Sequence, residues 1–349
     1  MTTRKKKGTL GGEGGLLGAP LRAKRRSAAK RQAGELEGQA PLEHNKTKIV
    51  ITGICGRLGR RLARVLHRQR PVIGVDRRDF VGKPKDIEHQ QLDLRRKKLK
   101  DVFRGGDVAA VVHLGVMHDP RVPMSEHHSW NVEGFSKLLD YVAQFELPKL
   151  VVLSSANVYG PQPHNPQFLS EEAPLLGGAR FSEIRDLIEV DMLAQSFFWK
   201  HPNVQTVVLR PVHILGRVRN AASNFLRLPR VPTLLGYDPM VQVIHEADVV
   251  EAIVRALEPG ARGIFNVAGP EAMPLSRVLR ILDRPTLPIP YSFAKPVMDR
   301  LWSFHLTSFP APELDHIRYV CMVDDRRARK VLGYAPTRDA QETVCAVED

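Results

Sequence analysis

"KIVITGICGRLGRRLARVL", residues 48–66, begins with strand formers, turns through three glycines and continues as an arginine-rich helix. Within it, Gly53, Gly56 and Gly59 of "TGICGRLG" stand between strand and helix. The first glycine permits a tight turn, the second lets backbone approach a phosphate, and the third allows close helix–strand contact. A helix starting there offers unpaired N–H groups and the positive end of its dipole, a seat for a diphosphate. At the end of the next strand, "VIGVD", Asp76 is placed to accept hydrogen bonds from adenosine ribose hydroxyls, which favours NAD. Arg77 and Arg78 follow it, and arginine at this edge can hold the 2′-phosphate of NADP.

Downstream, short apolar runs alternate with helical stretches. "PVIGVD", "HQQLDL", "VAAVVHLG", "KLVVLSS" and "VQTVVLRPV" read as strands. Helices are expected from the glycine loop to about Gln69, over "SEHHSWNVEGFSKLLDYVAQF", and from Phe181 to Lys200. Strands this apolar, separated by helices, imply a parallel sheet covered on both faces. The expected class is therefore α/β: a doubly wound parallel sheet of the Rossmann type over residues 46–212. Beyond Pro211 proline and glycine are frequent, with helical segments near Ala247–Leu257 and Leu275–Leu282. That part, 213–349, reads as a smaller, loop-rich substrate lobe interleaved with the first, and ligands in such folds bind where the two meet.

Composition bounds the rest. The chain has 349 residues, 43% hydrophobic and 26% charged, enough for one large core or two smaller ones. No apolar run approaches the ~18 residues of a membrane helix. Cys55, Cys321 and Cys345 are odd in number and scattered, which argues against a disulfide framework or a zinc site and for a reducing cytoplasm. His118, His127 and His128 cluster in sequence but lack a matched carboxylate or cysteine set, so no metal is expected. The formal charge is +14, and residues 1–45 hold ten Lys/Arg against four Asp/Glu with no aromatic residue. That basic stretch reads as a disordered tail. No nucleic-acid motif accompanies it, so a nucleic-acid partner is not expected.

The TGxxGxxG spacing, with Ile54 where ordinary dehydrogenases carry glycine, resembles that of the extended short-chain dehydrogenase/reductase family, which includes the nucleotide-sugar epimerases and dehydratases. The likeness continues through "LDL", "VVHLG", "NVEG", "LSSANVYG", "LRPVHILG", "QVIHEADVVEAI" and "VDDRRARKVLGYAPT". It implies cofactor contacts from Gly53, Gly56, Arg57, Leu58, Gly59, Asp76, Arg77, Asp93, Leu94, Leu114, Gly115, Asn131, Ser154, Arg185 and Pro211. It implies substrate contacts from Ser155, His213 and Arg219, with a nucleotide sugar as substrate. Pairing of the long helices near residues 124–146 and 181–200 would give a homodimer.

The family's chemistry is hydride transfer between a sugar carbon and nicotinamide. Its proton acceptor is a tyrosine in YxxxK whose pKa is lowered by the lysine and the cofactor charge. Here "ARFSEIRDLIEVD" puts Phe181 and Arg185 at those two positions, with Glu189 one turn on, and none of the six tyrosines begins a YxxxK. Phenylalanine has no ionisable proton; arginine supplies charge and ribose contacts but does not shuttle protons. Ser155 remains at the catalytic serine position, four residues before Tyr159. Glu183, Asp186, His164 and His213 are candidate substitutes for the base. Two readings stand: an enzyme of epimerase or dehydratase type with an unorthodox base, and a cofactor-binding sensor or scaffold without turnover.

Overall fold

The computed structural model describes residues 47–117, 123–179, 182–218, 220–303 and 311–348. The expected tail, Phe181 and Arg219 lie outside them, as does His118. The first half supplies β1 (Lys48–Thr52), α1 (Arg57–Leu66), β2 (Val72–Asp76), β3 (Glu88–Gln91) and β4 (Val108–His113). It continues with α2 (Met124–His128), α3 (Gly134–Gln144), β5 (Lys149–Leu153), α4 (Ser182–Lys200) and β6 (Gln205–Pro211). Then come β7 (His213–Leu215), α5 (Ala221–Leu226), β8 (Val231–Leu234), β9 (Met240–His245), α6 (Glu246–Ala256) and β10 (Gly263–Val267). The last elements are β11 (Ala272–Pro274), α7 (Leu275–Ile281), β12 (Thr286–Ile289), α8 (Tyr291–Ser303), α9 (Arg326–Val331) and α10 (Ala340–Cys345).

Seven parallel strands form the main sheet in the order β10-β6-β5-β4-β1-β2-β3. Alternation along β1 shows why both faces are covered. Ile49 and Ile51 join one core with Leu62 and Leu66 of α1 and Ile253 of α6. Val50 joins the other with Phe135 and Leu138 of α3 and Val190 and Phe197 of α4. From β1 the chain winds outward to β2 and β3, then returns to build β4, β5 and β6 on the other side. Strand order therefore reverses between β1 and β4, and the crevice beyond their carboxyl ends is where such sheets hold ligands.

The doubly wound parallel sheet is as expected; several boundaries differ. Helix α1 stops at Leu66, capped by His67, rather than at Gln69. β3 ends at Gln91, because Asp93 draws the Arg95 main-chain N–H onto its own carboxylate at 2.8 Å and turns the chain. The single helix expected before Phe145 is three pieces: α2, a π turn over Ser129–Glu133, and α3. Within that turn, Trp130 Nε1 donates to Gly115 O (3.1 Å) and Asn131 binds the Met117 main chain, holding it against the end of β4. The proline-rich second half holds more strand than its texture suggested. β11, β9 and β7 form a small sheet, β12 pairs with β8, and β10 crosses back to edge the main sheet. A separate core of Leu215, Val231, Leu234, Val243, Val278 and Leu279 supports this part. Among the described residues no helix is long and apolar enough to cross a membrane.

Candidate active site

The reversal point between β1 and β4 is an open cleft of about 310 Å³, lined by Gly53, Gly56, Arg57, Leu58, Gly59, Leu114, Leu153 and Val218. Its floor is bare backbone by necessity. Gly53 has φ +75°, and a Cβ there would stand 2.7 Å from Gly115 Cα. At Gly59 a Cβ would stand 2.4 Å from Gly53 O, so α1 could not approach the strand with any side chain present. Gly56 precedes α1 without a side-chain cap, and no acid occupies the first turn. The chain leaves those orphan N–H groups and the positive helix end uncompensated, the donor set a diphosphate requires. A dinucleotide phosphate thus fits the residues present, with Gly53, Gly56, Arg57, Leu58 and Gly59 able to hold it.

One wall is braced from the second half of the chain. Buried Glu246 accepts from Arg61 Nη1 (2.7 Å) and from Val218 N–H (3.1 Å), tying α1 to the loop that carries Val218. Neither Glu246 nor the lining residues Leu153 and Val218 was among the sequence-derived site residues. Glu246 lies inside "VIHEADVV", but an acid in a motif gives no sign of which loop it will hold.

At the adenosine edge Asp76 is buried at the end of β2. Its Oδ2 accepts from Cys55 N–H (3.0 Å), and Arg78 binds both oxygens. Burial alone would raise the Asp76 pKa; the Arg78 and Cys55 donors outweigh it and hold the carboxyl below its ordinary value. Cys55 is pushed up to about 11 by burial and by the Asp76 charge, so its thiol fills space rather than attacking.

Several residues expected to touch cofactor have other engagements. Leu94 is 2% exposed and packs its side chain into the core. Asp93 is forked by Arg95. Asn131 uses its carbonyl on Met117 N–H (2.7 Å) and its amide on Met117 O (3.2 Å), pinning the loop after β4. The buried Ser154 hydroxyl donates to Asp191 Oδ2 at 2.6 Å. Asp93 and Asn131 thus fix the backbone at Arg95 and Met117. Leu114 and Gly115 remain at the cleft, Gly115 packed against Gly53; Pro211 ends β6, buried.

The residues expected at a reaction end lie past the carboxyl ends of β5 and β6 and early in α4. Ser155 is partly exposed, its Oγ accepting from Asn157 N–H (3.1 Å). Arg185 is exposed on α4, its Nε donating to Gly178 O (3.1 Å). Tyr159 is buried: its hydroxyl accepts from Arg210 Nη1 (2.7 Å) and donates to Asn266 Oδ1 (2.8 Å). Burial lifts it to about 12, against the pull of Arg210, so it cannot replace the missing base. His213 heads β7, its ring edge-on to His316 with centroids 5.3 Å apart, and burial draws it down to about 4, a neutral imidazole.

Of the other candidates, His164 is exposed and the Glu183 side chain lies outside the described residues. Asp186 is buried and faces His128, Oδ1 to Nδ1 at 3.0 Å, with Glu189 nearby. Potential ligand atoms of these three lie within 4.8 Å of one another, so His128 does meet carboxylates. They come from α4, a helix that sequence spacing does not connect to it.

The family model for the NAD dependent epimerase/dehydratase family matches residues 49–268. An uncharacterized Mycobacterium tuberculosis protein is 28% identical over 301 residues, covering 82% of this chain and 80% of that one. Among solved structures, a Thermus thermophilus UDP-glucose 4-epimerase complexed with NAD superposes at TM-score 0.66 and 20% identity, over 86% of this chain and 98% of that one. A Streptomyces venezuelae dTDP-glucose 4,6-dehydratase with NAD bound gives TM-score 0.67 at 17% identity, over 86% and 97%. The strand order, the bare glycine floor and these matches agree: the chain belongs to the NAD dependent epimerase/dehydratase family.

Proposed function

We propose that the chain is an oxidoreductase-type enzyme that seats a nicotinamide adenine dinucleotide, NAD or NADP, and acts on a hydroxyl-bearing carbon of a nucleotide sugar, nearest to 4-epimerisation. The observation that carries this is the glycine-floored cleft under an uncapped helix end at the strand-order reversal. Solved relatives of the same fold hold NAD with UDP-glucose or UDP-glucuronic acid, which supports the substrate class. The bound nicotinamide supplies the hydride acceptor. Ser155 steadies the substrate oxygen, and Arg185 contributes positive charge beside it. His213, packed against His316 and neutral, is the group proposed to take the proton that Phe181 cannot; burial weakens it as a base, so the bound substrate must raise its basicity. Substrate contact from Arg219 belongs to the same reading.

Three free thiols and the family's chemistry support a cytoplasmic setting. A homodimer through the outward face of α4 is part of the proposal, because Met192 (58% exposed) and Trp199 (76%) stand two turns apart there. Binding without turnover would follow from the missing tyrosine alone, and the relatives lend it no support.

The test is a panel of UDP-, GDP- and dTDP-sugars incubated with protein and NAD or NADP, followed by nicotinamide absorbance and sugar chromatography. Turnover of at least one sugar by the natural protein is expected, lost in His213→Ala. A bound but unreactive cofactor in every mixture, with activity appearing only in Phe181→Tyr/Arg185→Lys, would contradict it.

A further inference from the structure

We propose that the adenosine end of the cleft takes a 2′-phosphate, so that NADP binds at least as tightly as NAD; this rests on the dinucleotide reading above. A carboxylate offers two oxygens and about four lone-pair sites. At Asp76 four donors already fill them. Arg78 N–H (2.9 Å) and Nε (3.1 Å) bind Oδ1, while Arg78 Nη2 (3.2 Å) and Cys55 N–H (3.0 Å) bind Oδ2. Ribose hydroxyls reaching for this acid must first displace a chelating guanidinium. The Asp76 side chain is 4% exposed and that of Arg78 59%, so the charge presented at this edge is positive.

The neighbouring Arg77 adds to it. Its guanidinium is exposed and lies 5.0 Å over the Trp130 ring, and among the described residues it pairs with no carboxylate. Trp130 is itself fixed, buried with Nε1 on Gly115 O. Arg77 is thus positioned by an aromatic face rather than by an acid, which leaves its N–H donors for a ligand. Arg95 lies over the same ring at 5.6 Å but is neutralised by Asp93 and Glu126. A phosphate on the ribose 2′ oxygen would meet Arg77 and the Nη1 of Arg78 that Asp76 does not engage, without displacing Asp76.

Calorimetric titration of the full chain with NADP, NAD, adenosine 2′,5′-bisphosphate and adenosine 5′-monophosphate tests this. NADP should bind as tightly as NAD or more so, and the bisphosphate about tenfold tighter than the monophosphate. Arg77→Ala, a change at an exposed side chain, should remove the bisphosphate's advantage and weaken NADP more than NAD. Arg78→Ala should free Asp76 and shift preference toward NAD. If NAD binds about tenfold tighter than NADP to the natural protein, the proposal fails while the dinucleotide reading stands. If neither coenzyme binds, both fail.

Discussion

His113, at the end of β4, carries an imidazole that the fold keeps neutral. Its Nδ1 lies 2.8 Å from Thr52 Oγ1, its ring stacks on Phe135 at 4.6 Å, and its buried Nε2 has no hydrogen-bond partner among the described residues. Burial draws its pKa down to about 3, against an ordinary value of 6.5. Between those values the unfolded chain binds the extra proton. Stability is therefore full above about 6.5 and falls as pH drops, by about 1.4 kcal/mol per pH unit for this group, until the folded value is reached. His213 and His316, drawn down to about 4 and about 3, act in the same direction. Urea unfolding near neutrality and at about pH 5 should show the midpoint falling with acid, and His113→Gln should flatten that fall. A midpoint equal at both pH values would contradict the buried neutral assignment.

At the scale of elements, the first half was legible because β1, β2, β4, β5 and β6 are short, largely apolar runs separated by helical periodicity, whereas edge strand β3, EHQQ, is polar throughout. Where side chains re-aim the chain, as Asp93, Trp130 and Asn131 do, pattern alone could not place the boundary. Nor could it reveal the cross-brace under the site, in which Asp191 of α4 is forked by Arg210 of β6 (Nη2–Oδ1 2.7 Å) and also accepts from Ser154. The pair is 1% and 0% exposed, and removing one partner of such a pair typically costs about 3–5 kcal/mol. "LRPV" and "LSS" had each suggested ligand contact, yet Arg210 and Ser154 meet through an aspartate 37 residues from the serine. The outer face of α4 yields a separate expectation. Trp199→Glu places a charge where a second copy would pack; sedimentation should give a dimer for the natural chain and a monomer for the variant. A natural chain that sediments as a monomer would overturn the dimer proposal.

For the molecule as a whole, the sheet order positions everything else. Winding outward to β3 and back to β10 places the strand-order reversal and its crevice at β1–β4, and the three glycines stand there. The cofactor end of the site could be read from sequence because its chemistry is carried by backbone, which leaves a glycine signature. The other end of the candidate site was less legible, since it depends on which side chains from distant elements meet, such as His213 with His316. In the proposed complex a nicotinamide dinucleotide lies with its diphosphate on the backbone of Gly53–Gly59. The most direct measurement is calorimetric titration of NAD into the natural protein and into Gly53→Ala, whose added methyl would overlap the Gly115 backbone. Saturable one-to-one binding by the natural protein, abolished in a still-folded Gly53→Ala, is the expected result. No heat with either nicotinamide coenzyme, or unchanged binding by Gly53→Ala, would contradict it.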